Sequence, residues 1–189
     1  MTDFATVIMD PPWSERGGGV CKRGADRHYP LMHVRDIYRT IVTAEPWLHV
    51  AANAHLYMWA TNNFLPQALM LMGDLSFRYV TNLAWVKGEE RGAHVDLQSG
   101  LGQYFRGQHE LLLFGVRGDG YAVRTDRRNI GSVVLDRRTV HSRKPRSIYD
   151  LVEARSRGPY LEMFARTARD GWTAWGNEAP THEQETTAP

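Results

Sequence analysis

The sequence has little of what several common classes of protein need. Cysteine occurs once among the 189 residues, at Cys21, which excludes an internal disulfide and a cysteine-based zinc cluster. No run of about 18 apolar residues is present, so we expect no membrane-spanning helix. The first residues are acidic and short of apolar length, so we expect no signal peptide. A cytoplasmic protein is therefore predicted.

The sequence also lacks the motifs of several enzyme classes. No GxGxxG segment is present, which argues against a nicotinamide or flavin cofactor. Neither an HExxH segment nor a three-histidine cluster occurs, so no metal site is predicted. The hydrolase motif GxSxG is absent as well. The pair His109-Glu110 suits acid–base chemistry, but a histidine that begins a strand and binds a loop carbonyl is the favoured interpretation.

The charged residues are nearly balanced in number but unevenly placed. The net charge is +2, yet nine Arg or Lys stand against three Asp between Arg117 and Arg146. A second basic cluster comprises Lys22, Arg23 and Arg27. Such patches are typical of a face that binds an anionic partner, and ordinary solvated surface charge explains them equally well.

The hydrophobic pattern predicts alternating strands and helices. Strands are predicted at 4–9, 55–60, 77–86, 110–116, 160–164 and 172–175, with a weaker one at 132–135, and helices at 34–44, 62–75 and 146–156. The intervening loops include 10–33 and 87–107. This succession predicts an α/β sheet with helices on both faces, and such sheets bind ligands beyond the carboxyl ends of their strands.

The segment DPPW, Asp10 to Trp13, directly follows the first predicted strand. Proline has no N–H and fixes φ near −65°, so Pro11 and Pro12 give a rigid exit from the strand. The carbonyls of Asp10 and Pro11 are predicted to lack donors from the sheet. The Asp10 carboxylate and a neighbouring carbonyl then form two acceptors, and Trp13 offers a face for a flat base, worth about 1–3 kcal/mol. The alternative is a proline turn with a core tryptophan.

Two such acceptors match the two N–H groups of an exocyclic amine. The amino nitrogen of adenine is a poor nucleophile because its lone pair is delocalised into the ring. Acceptors that hold both hydrogens favour a tetrahedral nitrogen and stabilise the positive charge that develops as it attacks a methyl donor. The segment therefore favours methyl transfer to an adenine amine.

Further segments follow DPPW in a characteristic order: RHYPLM at 27–32, MWAT at 58–61, WVK at 85–87, HE at 109–110, HSRKP at 141–145, LEMFAR at 161–166, and WGNE at 175–178. With DPPW, this series resembles the MT-A-type family of S-adenosylmethionine-dependent adenine-N6 methyltransferases, the family of the eukaryotic messenger-RNA adenine-N6 writer. The resemblance runs from about Phe4 to Glu178. The loop after DPPW is most similar to that of small bacterial or phage DNA adenine methyltransferases.

The resemblance implies a permuted Rossmann-like methyltransferase sheet, in which the catalytic strand comes early and the cofactor-binding strands come last. It implies a single methyltransferase domain at 1–178, followed by a polar tail at 179–189 that we expect to be disordered. At Ala168 and Arg169 the sequence departs from the His-Asn pair of the messenger-RNA writer.

The resemblance also implies S-adenosylmethionine as the cofactor and assigns residues to the site. The catalytic residues would be Asp10, Pro11, Pro12 and Trp13. Cofactor contacts are predicted at Asp10, Tyr29, Lys144, Glu162, Arg166, Asn177 and Glu178. Substrate contacts are predicted at Trp13, Arg23, Arg27, His28, Tyr29, Lys87, Arg106 and Lys144, and further phosphate contacts at Arg127, Arg128, Arg137 and Arg138.

The leading hypothesis is N6 methylation of adenine in DNA, in a bacterial or phage-infected cell. An amine paired inside a duplex is out of reach, so we expect base flipping or a single-stranded substrate, with loops 14–33 and 88–107 closing over the base. Two alternatives stay open: an RNA adenine-N6 methyltransferase, and a non-catalytic subunit of the same fold that binds nucleic acid. The chain is expected to be a monomer or a homodimer.

Overall fold

A computed structural model describes residues 3–14, 32–100, 104–138 and 143–176. The strands of this part of the chain are β1 (Phe4–Met9), β2 (Val50–Ala60), β3 (Arg78–Arg91), β4 (His94–Leu97), β5 (His109–Arg117), β6 (Val133–Asp136), β7 (Tyr160–Met163) and β8 (Trp172–Trp175). They form one sheet in the order β4-β3-β5-β2-β1-β7-β8, and β6 pairs with β3.

Four α-helices accompany the sheet in the described residues: α1 (Val34–Thr43), α2 (Leu65–Asp74), α3 (Gly120–Val123) and α4 (Ser147–Arg155). Short 3₁₀ turns at Glu45–His49 and Asn62–Phe64 precede β2 and α2. No helix in this part of the chain combines the length and the apolar character that crossing a membrane requires.

Strand direction determines which side chains meet. β1 lies parallel to β2 and β7, and β7 lies parallel to β8. β5 is antiparallel to both of its neighbours, β2 and β3, so β3 runs in the same direction as β2. The amino end of β5 therefore lies at the same edge of the sheet as the carboxyl ends of β1, β2, β3 and β7.

Alternate residues of the strands bury opposite faces of the sheet. Val7 and Met9 of β1 pack in a cluster with Ile37 of α1, whereas Ile8 packs with Ile148 of α4. All five are buried, with at most 2% of their surface exposed. This arrangement confirms the predicted α/β sheet with helices on both faces, because a strand covered on both sides presents apolar residues continuously.

Some predicted boundaries are wrong, and the differences have physical reasons. β3 continues to Arg91 and pairs with β4 as a hairpin, with Gly92 at φ +61°, so residues 87–97 are not the predicted loop. Every residue of β4 is exposed, and the alternation of Val95 and Leu97 with polar residues covers only four positions, which is a weak signal for a strand. The predicted N-cap of α2 at Asn62 or Asn63 is also wrong, since Phe64 precedes the helix and Pro66 lies in its first turn.

A series of buried, hydrogen-bonded polar side chains lies at the opposite edge of the sheet from the carboxyl ends of β1 and β7. The Nε2–H of His55 donates to the Gly120 carbonyl at 2.8 Å, so its Nδ1 accepts from the Ser156 hydroxyl at 2.7 Å. The Ser156 oxygen accepts in turn from the Tyr57 hydroxyl at 2.7 Å. Burial, reinforced by the charge of Arg155, lowers the pKa of His55, while the bond to Gly120 opposes this. His55 is therefore neutral in the folded protein at neutral pH.

The neutral His55 predicts a loss of stability in mild acid. The unfolded chain binds a proton at this position below about pH 6.5 while the folded chain does not, so the free energy of unfolding falls by at most about 1.4 kcal/mol per pH unit there. Urea unfolding at pH 7.5, 6.5 and 5.5 measures this slope. The variant His55→Gln should have a shallower slope, whereas the control His94→Gln, at an exposed position of β4, should retain it. Equal slopes in all three proteins would contradict the prediction.

Candidate active site

A cavity of about 720 Å³ opens where β1 and β7 end, within the range of pockets that bind small molecules. Its lining includes Asp10, Lys144, Tyr149, Glu162, Phe164 and Arg166. Asp10 directly follows β1, and β7 contributes Glu162, which lies opposite Ile8 in the register. Two neighbouring parallel strands thus deliver one carboxylate each to the same crevice.

Four charged side chains of alternating sign extend from Asp10 along this edge of the sheet. The Lys144 ammonium lies 2.8 Å from Oδ2 of Asp10 and 3.4 Å from Oε2 of Glu110. The Lys87 ammonium lies 2.6 Å from Oε1 of Glu110. The reversed direction of β5 explains this meeting, since it brings the beginning of β5 to the end of β3. Oδ1 of Asp10 has no hydrogen-bond partner among the described residues.

Tryptophan rings fix the two lysines from the side. The Lys144 ammonium lies 5.2 Å from the ring centroid of Trp59, and Lys87 lies at the same distance from Trp85. Both contacts are within cation–π range. Burial raises the pKa of Glu110, but Lys144 and Lys87 together outweigh it and hold the pKa below its usual range. Glu110 is thus ionised at neutral pH and shared between two cations.

The shared position of Glu110 predicts a large cost for its neutralisation. The variant Glu110→Gln should lower the free energy of unfolding by about 3 kcal/mol, because two largely buried lysines lose their common carboxylate. A matched control is Glu89→Gln, since Glu89 also contacts two cations, Arg91 and Arg137, but at the protein surface. That variant should be nearly as stable as the parent in urea unfolding. A small effect of Glu110→Gln would contradict a structural role for the shared carboxylate.

The backbone of DPPW is tighter than the sequence suggested. The Trp13 N–H donates to the Pro11 carbonyl at 2.8 Å, and the Met32 N–H donates to the Pro12 carbonyl at 2.9 Å. The donor to the Pro11 carbonyl belongs to this turn and not to the sheet, whose donors this carbonyl was predicted to lack. A carbonyl oxygen has two lone pairs, so Pro11 retains one for a second donor.

Trp13 is a core residue in this structure. Its ring is 4% exposed, stacks on Phe64 with centroids 5.9 Å apart, and donates its Nε1–H to the Trp59 carbonyl at 2.9 Å. The prediction that Trp13 offers a face to a base is corrected by this burial. The alternative drawn from the sequence, a proline turn with a core tryptophan, describes the role of Trp13 here.

Glu162 lies in a second polar group of the cavity. The Tyr149 hydroxyl donates to its Oε1 at 2.8 Å, and the Arg169 guanidinium lies 3.9 Å from the Tyr149 ring centroid. Burial raises the pKa of Glu162, while the bond from Tyr149 and the charge of Arg169 oppose the rise. A half-buried carboxylate of this kind suits a ligand with hydroxyl donors, such as a ribose.

The structure brings together four predicted site residues in the cavity, namely Asp10, Lys144, Glu162 and Arg166. Lys87 reaches them only through Glu110. Arg106 is exposed on the loop before β5, and the cavity lining does not include it. Six further predicted residues lie outside the described part of the chain: Arg23, Arg27, His28, Tyr29, Asn177 and Glu178.

Gly176, the residue before Asn177, packs against the backbone of Ala165. A side chain at this position would collide with the Ala165 carbonyl, and the Ala165 N–H donates to the Trp175 carbonyl at 2.9 Å. Ala165 lies between Phe164 and Arg166, which both line the cavity. The end of the described chain is therefore next to the cavity wall.

Sequence reasoning missed three residues of the site: Glu110, Tyr149 and Arg169. Glu110 belongs to the HE pair noted in the sequence, but its partners Lys87 and Lys144 are distant from it in the chain. Tyr149 lies on α4 without a distinguishing pattern. Arg169 stood out in the sequence only because Ala168 and Arg169 replace the His-Asn pair of the messenger-RNA writer. Among the described residues no cluster of His, Cys, Asp or Glu suits a metal ion.

The strand order, and a cavity at the carboxyl ends of the parallel strands, define a Rossmann-like fold of the methyltransferase type. The chain belongs to the MT-A70 family, whose model matches residues 4–178 and thus confirms the resemblance seen in the sequence.

Relatives with assigned names share this region. The chain is 26% identical over 189 residues to the N6-methyladenosine RNA methyltransferase MTA1 of Cryphonectria parasitica, covering 96% of this chain and 53% of the relative. It is 28% identical to the human N(6)-adenine-specific methyltransferase METTL4, covering 93% of this chain and 37% of the relative. It is 24% identical to the type II methyltransferase M.MunI of Mycoplasma sp, covering 96% of this chain and 80% of the relative. The chain spans about half the length or less of the first two relatives.

Proposed function

We propose that this chain transfers the methyl group of S-adenosylmethionine to the N6 amine of adenine in DNA. The observation that carries the proposal is the presence of Asp10 and Glu162 in the lining of one cavity. One carboxylate is positioned to accept from an amine, and the other to accept from ribose hydroxyls. Membership in the MT-A70 family supports the same reaction.

The cavity residues suit the proposed cofactor. A volume of about 720 Å³ accommodates a nucleoside with an amino-acid side chain, and the Tyr149 hydroxyl fixes the position of Glu162 in the lining by a hydrogen bond. The cationic side chains Lys144 and Arg166 suit the carboxylate of the amino-acid part. Bound there, S-adenosylmethionine would supply an activated methyl group on a sulfonium centre.

Asp10 and its neighbours would act on the amine. Oδ2 is held by Lys144, so Oδ1 is the oxygen available to accept one N–H, and the second lone pair of the Pro11 carbonyl is available for the other. With both hydrogens held, the nitrogen lone pair would be less delocalised into the ring and free to form a bond to an electrophilic methyl carbon, while the bond from that carbon to sulfur breaks and its electron pair stays on sulfur. The proton lost from nitrogen after transfer leaves to the Asp10 carboxylate and then to water.

DNA is the favoured substrate because the loop after DPPW is most similar in sequence to that of small bacterial or phage DNA adenine methyltransferases. RNA is the second candidate, since MTA1 is named as an RNA methyltransferase. Base flipping or a single-stranded substrate is part of the proposal. The monomeric or homodimeric state and the cytoplasmic location stay predictions.

A methyl-transfer assay with matched substrates tests the proposal. The purified chain is incubated with methyl-labelled S-adenosylmethionine and one of three oligonucleotides of equivalent sequence: single-stranded DNA, double-stranded DNA or single-stranded RNA. Digestion to nucleosides and mass spectrometry should reveal N6-methyldeoxyadenosine. Methylation of RNA alone would favour the second candidate. Absence of transfer to all three, from a protein that binds the cofactor in calorimetry, would indicate a non-catalytic subunit.

A further inference from the structure

Two adjacent aromatic side chains project almost fully into solvent. Tyr104 is 93% exposed and Phe105 is 89% exposed, and the exposed Arg106 follows them. Large aromatic side chains are usually at least half buried, because their exposure to water forfeits the free energy of burial. A contiguous exposed pair is typical of a binding surface rather than of a folded core. We call residues 104–106 the aromatic tip.

The aromatic tip belongs to the loop between β4 and β5, and hydrogen bonds fix the base of this loop. The Gly100 N–H donates to the Gly107 carbonyl at 2.8 Å, and the Gln108 side chain donates to the Ser99 hydroxyl at 3.1 Å. The backbone N–H of Arg138 donates to the Gln98 side chain at 2.7 Å. Because its base is closed on several sides, the aromatic tip loses less conformational entropy on binding than a loose loop would.

The same base is attached to the active-site edge of the sheet. The Lys87 N–H donates to the Gln108 carbonyl at 2.8 Å, and the Lys87 carbonyl accepts from Gln98 at 2.7 Å. The Lys87 ammonium binds Glu110, which also contacts Lys144 beside Asp10. Phe105 and Glu110 are only five positions apart in the chain, a reach of at most about 18 Å. The tip therefore lies within a few nucleotides of the target amine.

The charges around the tip favour a nucleic acid over an apolar protein partner. Arg106 forms no ion pair with a described residue, and the exposed Arg138 lies at the loop base. Exposed aromatic rings combined with arginine are the usual platform for unpaired bases, at about 1–3 kcal/mol per stacked base. A base inside an intact duplex has no free face to offer such a ring.

We infer that Tyr104 and Phe105 stack on the bases that flank the target adenine, with Arg106 on a neighbouring phosphate. The inference deepens the proposed function and rests on it for the identity of the target. It implies that the strand around the adenine is unstacked in the complex. Single-stranded nucleic acid should therefore bind more tightly than an intact duplex of the same sequence.

The double variant Tyr104→Ala/Phe105→Ala tests the inference. Both positions are exposed, so the fold should be retained, as circular dichroism and thermal unfolding will verify. The probe is a single-stranded DNA oligonucleotide with one adenine and 2-aminopurine beside it, whose fluorescence falls on stacking. The affinity for this probe should decrease about 30-fold or more, corresponding to at least about 1 kcal/mol per ring. KM for the oligonucleotide should rise similarly, with kcat within about threefold.

Tyr121→Ala is the matched control, because Tyr121 is also exposed, at 75%, but follows β5 at the opposite edge of the sheet. Its affinity for the probe should equal that of the parent within twofold. The second control is the double variant Tyr104→Phe/Phe105→Tyr, which keeps both aromatic rings. Its probe binding and fluorescence quenching should equal those of the parent.

Three outcomes separate the alternatives. Unchanged binding and quenching in the double variant would overturn the inference. Loss of dimers in sedimentation with unchanged probe binding would also overturn it, since the tip would then be a contact between copies of the chain. In the third outcome, the parent methylates no nucleic acid but the double variant still binds the probe more weakly. This result would support the stacking surface and refute the proposed catalytic function.

Discussion

Replacing Asp10 by Asn should lower kcat by about 100- to 1,000-fold and leave the affinity for S-adenosylmethionine within about threefold of the parent. The carboxamide oxygen can still accept from Lys144, which turns the NH₂ group toward the amine. A donor then faces a donor, and one of the two acceptors that prepare the nitrogen is lost. Removal of one preorganised electrostatic contact costs about this much in other enzymes. Single-turnover methyl transfer measures the rate, and calorimetry measures the cofactor affinity.

The control for Asp10 is Asp36→Asn, which removes a surface carboxylate that pairs with Arg39 on α1. Its rate should equal that of the parent. An Asp10→Asn protein with full kcat would show that the amine is held elsewhere. If the Asp10→Asn protein retained kcat but had a much lower affinity for S-adenosylmethionine, Asp10 would contact the cofactor rather than the amine.

Replacing Trp13 by Ala should lower the free energy of unfolding by about 3–5 kcal/mol. The buried indole, its stacking on Phe64 and its bond to the Trp59 carbonyl are all lost. Trp13→Phe keeps most of the apolar area but leaves the Trp59 carbonyl unpaired, which costs about 1–3 kcal/mol. Urea unfolding at neutral pH, followed by circular dichroism, measures both changes.

The outcome for Trp13 distinguishes a core role from a substrate role. If the ring served mainly as a wall for the base, Trp13→Ala would leave stability nearly unchanged and raise KM for the nucleic acid. A stable Trp13→Ala protein with a weakened substrate interaction would therefore contradict the structural role. Trp13→Phe, which retains an aromatic face, would then be close to the parent.

The parts of the site that could be read from the sequence are those that follow from strand order. Asp10 comes after one apolar strand and Glu162 lies near the end of another, and neighbouring parallel strands deliver their carboxyl ends to one edge. Lys144 could be assigned only from the family resemblance, because it belongs to a loop whose path no local pattern determines. The structure nevertheless places it in contact with Asp10.

The remaining features depend on contacts between distant residues. Glu110 reaches Lys87 and Lys144 only because β5 runs against its neighbours, and the amino-acid pattern of a strand does not reveal its direction. The β3–β4 hairpin was missed because its charged, exposed residues resemble those of a loop. Trp13 was ambiguous because a tryptophan after two prolines can point inward or outward with the same sequence.

The position of β1 in the sheet has a consequence for how the protein is made. β1 is paired on one side with β7, and Thr6 donates to the Arg157 carbonyl across 151 positions of the chain. During synthesis the ribosome must therefore add the whole of β7 before β1 acquires its second neighbour in the sheet. Until then β1 has one open edge, to which another nascent chain could add. We expect chaperone dependence during translation and slow folding, even though each helix can form quickly by itself.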